Sequence, residues 1–276
     1  MLDLESSVED DGRARPKGQL HALDLIFLRD APIEKLGMSN SSSEWNVLEH
    51  RPIEKLAENL WWVSGAVPRM SLKRTMTIVR LRDGRLVIHN GIALEESAMR
   101  DLEAWGKPAF LIVPNGMHRL DAPAYKRRYP EMKVLAPRGS RKKIEALVAV
   151  DAMCEEVDLG DDTVRFEALG GIDSVENAMI VRSRDGSTVV LNDVVFNMDR
   201  KTDPLGWLIT TTFGSAPGPR VSRLAKMLLV KDKKALRADL ERFAQLPDLT
   251  RLIVAHEKVA HGPEASAALR KAAEYL

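Results

Sequence analysis

The sequence is poor in the features that give a function away most simply. Only one cysteine, Cys154, stands among its 276 residues. No intramolecular disulfide can therefore form, and a cysteine-rich zinc site is excluded. A chain without paired cysteines suits a reducing compartment. Cys154 sits in Asp151-Ala152-Met153-Cys154-Glu155-Glu156, where neighbouring carboxylates disfavour a thiolate. A half-buried structural thiol is expected there rather than a nucleophile. An excess of one charge is also missing: Lys plus Arg number 41 and Asp plus Glu 40, for a net charge of +1. This argues against the basic footprint of a nucleic-acid-binding face and against long-range steering of a charged partner. No apolar run approaches the ~20 residues that cross a bilayer, so no transmembrane segment is expected. Residues 1–20 carry Asp3, Glu5, Glu9, Asp10 and Asp11 and no apolar core of a secretory signal. A cytoplasmic location follows as the expectation.

Catalytic signatures are sparse as well. The six histidines are His21, His50, His89, His118, His256 and His261. No pair shows the His-x-His, His-x-x-x-His or His-Glu-x-x-His spacing that sets two imidazoles on one metal. Gly170-Gly171 is a lone glycine pair, and there is no Gly-x-Ser-x-Gly elbow.

What is present is enough apolar residue, 45% of the chain, to bury a substantial core. Residues 1–50 differ from the rest. They are rich in Ser, Asp, Glu and Gly, and include the linker-like Ser39-Asn40-Ser41-Ser42-Ser43. They are expected to form a disordered or loosely packed N-terminal extension, with at most a short helix or strand over Leu20–Leu28. Met38 precedes the serine run, and residues 1–37 read as an upstream extension of the coding sequence. Residues 51–276 are expected to form a single domain.

From residue 55 strands and helices alternate. Leu60-Trp61-Trp62-Val63 and Met76–Leu81 read as strands, and Asp83-Gly84 turns the second into Leu86–His89. A helical pattern runs from Ala93 to Trp105. Ala109–Val113, a helix over Ala122–Tyr129 and the strand Lys133–Ala136 then give the strand–helix–strand order of a parallel crossover. Val164–Leu169, Ala178–Val181 and Thr188–Leu191 read as further strands, the last pair hinged at Asp185-Gly186. A helix over Lys233–Gln245, the strand Leu252–Ala255 and a helix over Pro263–Tyr275 close the chain. Two such halves, roughly 55–150 and 155–276, predict two sheets packed face to face with helices outside.

Three polar clusters follow buried strands: Asn115-Gly116-Met117-His118, Asn192-Asp193 and His256-Glu257. Functional groups of α/β sheets gather at strand C-termini, so Asn115, His118, Asp193 and His256 are expected around one cleft. Each also has a local alternative, as a turn, a cap or a satisfied loop histidine. Arg220–Lys234 reads as an amphipathic helix with a solvated basic face, or as a contact for an anionic partner or membrane surface. The stretch Thr210–Pro219 reads as a flexible loop over the cleft, with Trp207 lining it.

The order Asn59–Val63, Met76–Gly84 and Phe110-Leu111-Ile112-Val113-Pro114-Asn115-x-x-His118 resembles the metallo-β-lactamase superfamily. The resemblance extends through Tyr129–Pro137, Lys142-Lys143 and Val189–Asn197, and is strongest over about residues 59–200. It is closest to a branch of that superfamily, a domain-of-unknown-function family with a Pro-Asn-x-x-His loop. The resemblance implies an α/β fold, an αββα four-layer sandwich of two mixed β-sheets. It also implies a His-x-His-x-Asp-His metal loop where this chain has Asn115-Gly116-Met117-His118-Arg119-Leu120. Asn115 and Met117 then replace the two histidines, Arg119-Leu120 replaces the Asp-His end, and His118 is out of register. The family's Gly-His-Thr turn falls near Gly170–Asp173, without histidine. Its bridging aspartate matches Asp193 and its final histidine His256.

The expected site is thus an eroded one. His118, Asp193 and His256 supply at most one three-donor site for a zinc or iron ion, with no ion as the favoured state and binuclear catalysis out of reach. A guanidinium at Arg119 and a thioether at Met117 count further against a cation. The resemblance implies a hydrolase-like protein acting on an ester, lactone or thioester, with Asp193 and His256 as its catalytic groups. The alternative is a non-catalytic protein that keeps the fold to bind an unidentified small molecule or partner.

Overall fold

The computed structural model describes residues 43–276. The expectations for residues 1–42, including the Leu20–Leu28 element, lie outside that range. Strands β1 (Glu54–Ala57), β2 (Leu60–Val67), β3 (Met70–Arg80), β4 (Arg85–His89), β5 (Lys107–Ile112), β6 (Lys133–Ala136) and β7 (Ala152–Met153) form one sheet in sequence order. β1 to β4 pair antiparallel, as hairpin turns require, and β4 to β7 pair parallel. The crossovers carry the helices Glu96–Trp105, Ala122–Arg128 and Arg141–Glu145. The second sheet has the order β12-β11-β10-β9-β8, with β8 Val164–Ala168, β9 Asn177–Ser183, β10 Gly186–Val190, β11 Leu249–Ile253 and β12 Ala260–His261. Only β10 and β11 in it run parallel.

The period-two alternation of the strands sorts their side chains into layers. Leu60, Trp62, Val79, Val87, Phe110, Ile112 and Leu135 of the first sheet meet Val164, Met179, Val181, Val190 and Ile253 of the second in one buried layer. The alternate residues Trp61, Ile78, Leu86, Ile88, Leu111 and Val134 face the first set of helices, through Met99, Leu102, Tyr125 and Ile144. On the far side Ile180, Val189, Leu191 and Leu252 pack on Leu236, Leu240, Phe243 and Leu269, from the helices Lys233–Ala244 and Pro263–Ala273. Each fully buried aliphatic side chain contributes about 1.5–3 kcal/mol, so the interleaving itself drives assembly. The layer order is helix, sheet, sheet, helix, as expected. Trp105, the last residue of its helix, stacks on Trp61 at 3.8 Å and 3° and pins that helix to β2. Among the described residues no helix is long and apolar enough to cross a membrane.

Three local expectations are corrected. Cys154 is buried, not half-buried, and burial, with Glu155 beside it, pushes its thiol up. Arg220–Lys234 is not one helix. Ser222 caps Arg223–Leu228 by accepting from Ala225, and Asp232 caps Lys233–Ala244 by accepting from Lys234 and Ala235. Two side-chain caps start two helices, and the backbone N–H groups of Lys231 and Asp232 between them donate to the Gly171 carbonyl. The Thr210–Pro219 stretch is packed and hydrogen-bonded. Thr210 is buried and its hydroxyl donates to the Gly206 carbonyl, Ala216 N–H donates to Thr210, and Gly218 N–H to Met198. Its two X-Pro bonds, Ala216-Pro217 and Gly218-Pro219, are cis.

Candidate functional site

β5, β10 and β11 end on the same side of the sandwich, and their following residues meet there. The convergence rests on β3, whose long run reaches across the end of both sheets. Thr75 donates its backbone N–H to Ala255, 2.9 Å, and its hydroxyl to Val254, 2.6 Å. These bonds fix the chain leading to His256. One turn of the pleat earlier, the Lys73 carbonyl accepts from His256 Nδ1 at 2.8 Å. A carbonyl can only accept, so Nδ1 carries the hydrogen and Nε2 is the atom turned inward. Phe196 stacks on the same imidazole at 5.5 Å and 4°.

His256 Nε2 lies 3.4 Å from Asp193 Oδ1, and His118 Nε2 lies 3.0 Å from the same oxygen. The other oxygen, Oδ2, accepts from Asn115 Nδ2 at 2.7 Å. Asn115 in turn accepts at its Oδ1 from the backbone N–H groups of Met117 and His118, 2.8 and 3.1 Å. This Asx turn presents His118 to the carboxylate. The structure therefore brings together Asn115, His118, Asp193 and His256, and the donor atoms of His118, Asp193 and His256 all lie within 4.8 Å of one another. Trp207 is not among them: it ends the short helix Pro204–Trp207, half exposed, and the hydrogen bonds and ring contacts that join the four residues do not include it.

The electrostatics follow from burial and mutual proximity. Burial alone would raise the Asp193 carboxyl, but the His118 and His256 imidazoles outweigh it and hold the group well below the usual carboxylate range. Burial would lower His256, and the Asp193 carboxylate reverses this and raises it. The two shifts agree: the cluster places a carboxylate where it asks for a positive charge on or beside Nε2.

Two residues that sequence reasoning passed over sit behind the cluster. Glu176 is fully buried and accepts from the backbone N–H groups of Asn192, 2.6 Å, and Asp193, 2.9 Å. Burial and the neighbouring Asp193 push its carboxyl up to about 8. Arg74, next to Lys73 on β3, makes a buried ion pair with Asp121 at 2.6 Å, and Asp121 also accepts from Ala93 N–H. That pair ties β3 to the loop bearing Asn115 and His118. No motif marks either residue; the only signal was a charged residue inside an otherwise apolar or strand-forming run.

The objections that Met117 and Arg119 raised against a cation lose their force. The Met117 side chain is 52% exposed, and the Arg119 guanidinium reaches the Lys143 carbonyl at the surface. Two imidazoles and one carboxylate fit a single three-donor ion with an open position. Among the described residues this is the one group of three or more His, Cys, Asp and Glu so arranged.

No family model matches the sequence, and no curated protein is similar to it. Solved structures are. The DIM-1 metallo-β-lactamase exposed to ceftazidime is 14% identical with a TM-score of 0.55, covering 83% of this chain and 98% of that one. A metallo-β-lactamase from Erythrobacter litoralis, with β-mercaptoethanol in its active site, is 15% identical with a TM-score of 0.54, over 81% and 96%. A third, from Pontibacter korlensis, is 11% identical with a TM-score of 0.54, over 83% and 100%. Together with the two mixed sheets and their outer helices, these likenesses establish that the chain has the metallo-β-lactamase-like α/β fold.

Proposed function

We propose that this chain is a hydrolase-like protein of the metallo-β-lactamase fold that works with one metal ion, held by His118, Asp193 and His256. The observation that carries this is the Nδ1–H bond from His256 to the Lys73 carbonyl, which leaves Nε2 facing the Asp193 carboxylate at 3.4 Å. A neutral imidazole would set its lone pair against an anionic oxygen. A proton on Nε2 or a metal ion beside it removes the conflict. The second imidazole, whose Nε2 lies 3.0 Å from the same oxygen, favours the ion, and a backbone carbonyl on the far nitrogen is the usual outer support of a metal-bound histidine. A bound zinc or iron ion would supply polarisation of a substrate carbonyl and a water of lowered pKa.

This chain's own residues do the rest. Asn115 replaces a ligand of the superfamily's loop and acts instead on the two residues beside it, orienting the Asp193 carboxylate and shaping the turn that presents His118. We take this as the purpose of the Pro-Asn-x-x-His loop and as the mark of the branch the sequence resembles. Glu176 holds the backbone of Asn192 and Asp193, so the carboxylate that would meet the ion stands on a fixed turn. Low exposure of the three side chains, 10%, 4% and 11% for His118, Asp193 and His256, keeps bulk water from competing with the substrate. The substrates we infer are small activated acyl compounds, namely esters, lactones or thioesters, met in the cytoplasm.

The same low exposure favours a second reading, in which the centre binds an ion or small molecule without turnover. Metal analysis of the purified full-length chain tests the proposal. One equivalent of zinc or iron per chain is expected, and none in Asp193→Ala at unchanged far-ultraviolet circular dichroism. If no metal co-purifies and none raises the melting temperature when added, the metallohydrolase reading is wrong. If one equivalent binds but a panel of thioesters, lactones and esters stays intact, the second reading replaces the first.

A further inference from the structure

Directly behind the centre, the layer between the sheets changes character. Most of that layer is apolar, but at the end nearest Asp193 it is polar on both sides. On the first sheet the register runs Trp62 to Thr77 to His89 across β2, β3 and β4. These positions share the parity of Leu60, Val79 and Val87, so they face the second sheet. On the second sheet Asn177 begins β9 on the parity of Met179 and Val181. Asn192 lies two residues beyond Val190, which pairs with Met179, so continuing the register sets Asn192 beside Asn177. All five residues are buried: Trp62 4%, Thr77 1%, His89 4%, Asn177 6% and Asn192 1% exposed.

None of the following atoms has a hydrogen-bond partner among the described residues: Trp62 Nε1, Thr77 Oγ1, both amide atoms of Asn177 and both of Asn192. Unpaired buried polar atoms are rare one at a time, because each forfeits its hydration. Six of them on two facing surfaces are not six independent defects. They comprise donors and acceptors, as water requires. They also adjoin the candidate centre, since Asn192 directly precedes Asp193.

We propose that this layer is an internal water site, in which about two ordered waters, each making about three hydrogen bonds, are held by Trp62, Thr77, Asn177 and Asn192. The water stands between the two sheets and adjoins the backbone that carries Asp193. Its existence is independent of any metal. Its use, as an interior store that hydrates the centre when the outer face is covered, rests on the hydrolytic reading above.

Oxygen-17 water relaxation dispersion on the full-length chain counts long-lived internal waters, and a high-resolution crystal structure locates them. Water is expected within hydrogen-bond distance of Thr77 and of both asparagines, and Thr77→Val and Asn177→Leu should each lower the count by at least one. If the Thr77 hydroxyl is hydrated, Thr77→Val should lower the melting temperature by about 2–4 °C. A rise in melting temperature with an unchanged water count would overturn the proposal, because it would mean that a dry, unpaired hydroxyl had been removed. Direct pairing of the Asn177 and Asn192 amides in the crystal, with no water between them, would overturn it equally. Metal content is a separate readout, so a chain that is hydrated but binds no ion refutes the proposed function and leaves the water site standing.

Discussion

Acid should destabilise this protein through one histidine outside the candidate centre. His89 ends β4 on the inner face of its sheet and is 4% exposed. Burial, and then the charge of His118, push its pKa down from 6.5 to about 3. In the unfolded chain the imidazole takes up a proton below about pH 6.5, whereas in the folded chain it does so only near pH 3. Between these values the unfolded state binds more protons, so stability is present at neutral pH and is lost as the pH falls. Each pH unit inside the window is worth about 1.4 kcal/mol. From pH 6.5 to pH 4 the loss is therefore about 3 kcal/mol, a large part of the 5–15 kcal/mol typical of a folded domain. The assay is denaturant unfolding at a series of pH values for the natural chain and for His89→Gln, which keeps an amide in the polar layer and cannot titrate. At pH 7 the variant is expected to be the less stable of the two. Its disadvantage should shrink by about 3 kcal/mol by pH 4, since the other titrating groups are shared. A difference that stays constant across this range would refute the reasoning, because it would mean that the folded state protonates His89 as readily as the unfolded chain does.

The Arg74–Asp121 pair should behave as a buried ion pair broken from one side. Asp121→Ala leaves the buried guanidinium without its counter-charge and the Ala93 N–H without its acceptor, and a loss of about 3–5 kcal/mol should appear as a lowered denaturant midpoint. Thr75→Val removes the hydroxyl bond that joins the two sheets at Val254. It is expected to cost about 1–3 kcal/mol by the same measurement, without loss of secondary structure by circular dichroism.

Much of the fold was legible because its signals are local. Lys133-Val134-Leu135-Ala136 lies between turn residues and is a strand over the same four residues. Asp83-Gly84 and Asp185-Gly186 mark hairpins that form where expected, each with a glycine at positive φ. The extended part of β3 was harder to read. Met70-Ser71-Leu72-Lys73-Arg74-Thr75 alternates imperfectly and holds two basic residues, and Arg74 is admitted to the interior only because Asp121, 47 positions away, neutralises it. The broken basic stretch was misread for the opposite reason. Its apolar spacing is helical throughout, and the caps at Ser222 and Asp232 are short-range signals that the periodicity hides.

The candidate centre shows why spacing rules failed to reveal it and why strand ends succeeded. His118, Asp193 and His256 lie 75 and 63 positions apart in sequence, so no local pattern can express their meeting. It is the parallel register of β10 with β11, and the bonds from Thr75 to Val254 and Ala255, that set the three together. Aligning the metal loop by its motif placed His118 out of register, because a motif assumes that each ligand's place in the chain determines its place in space. Here an asparagine side chain replaces that backbone geometry. By accepting from Met117 and His118 and donating to Asp193, Asn115 bends the loop so that a histidine three residues on reaches the carboxylate. The histidine that faces the carboxylate is thus presented by an asparagine turn and not by the spacing of a motif. Erosion of a motif and loss of a site are different events, and the metal content of the purified chain is the measurement that tells them apart.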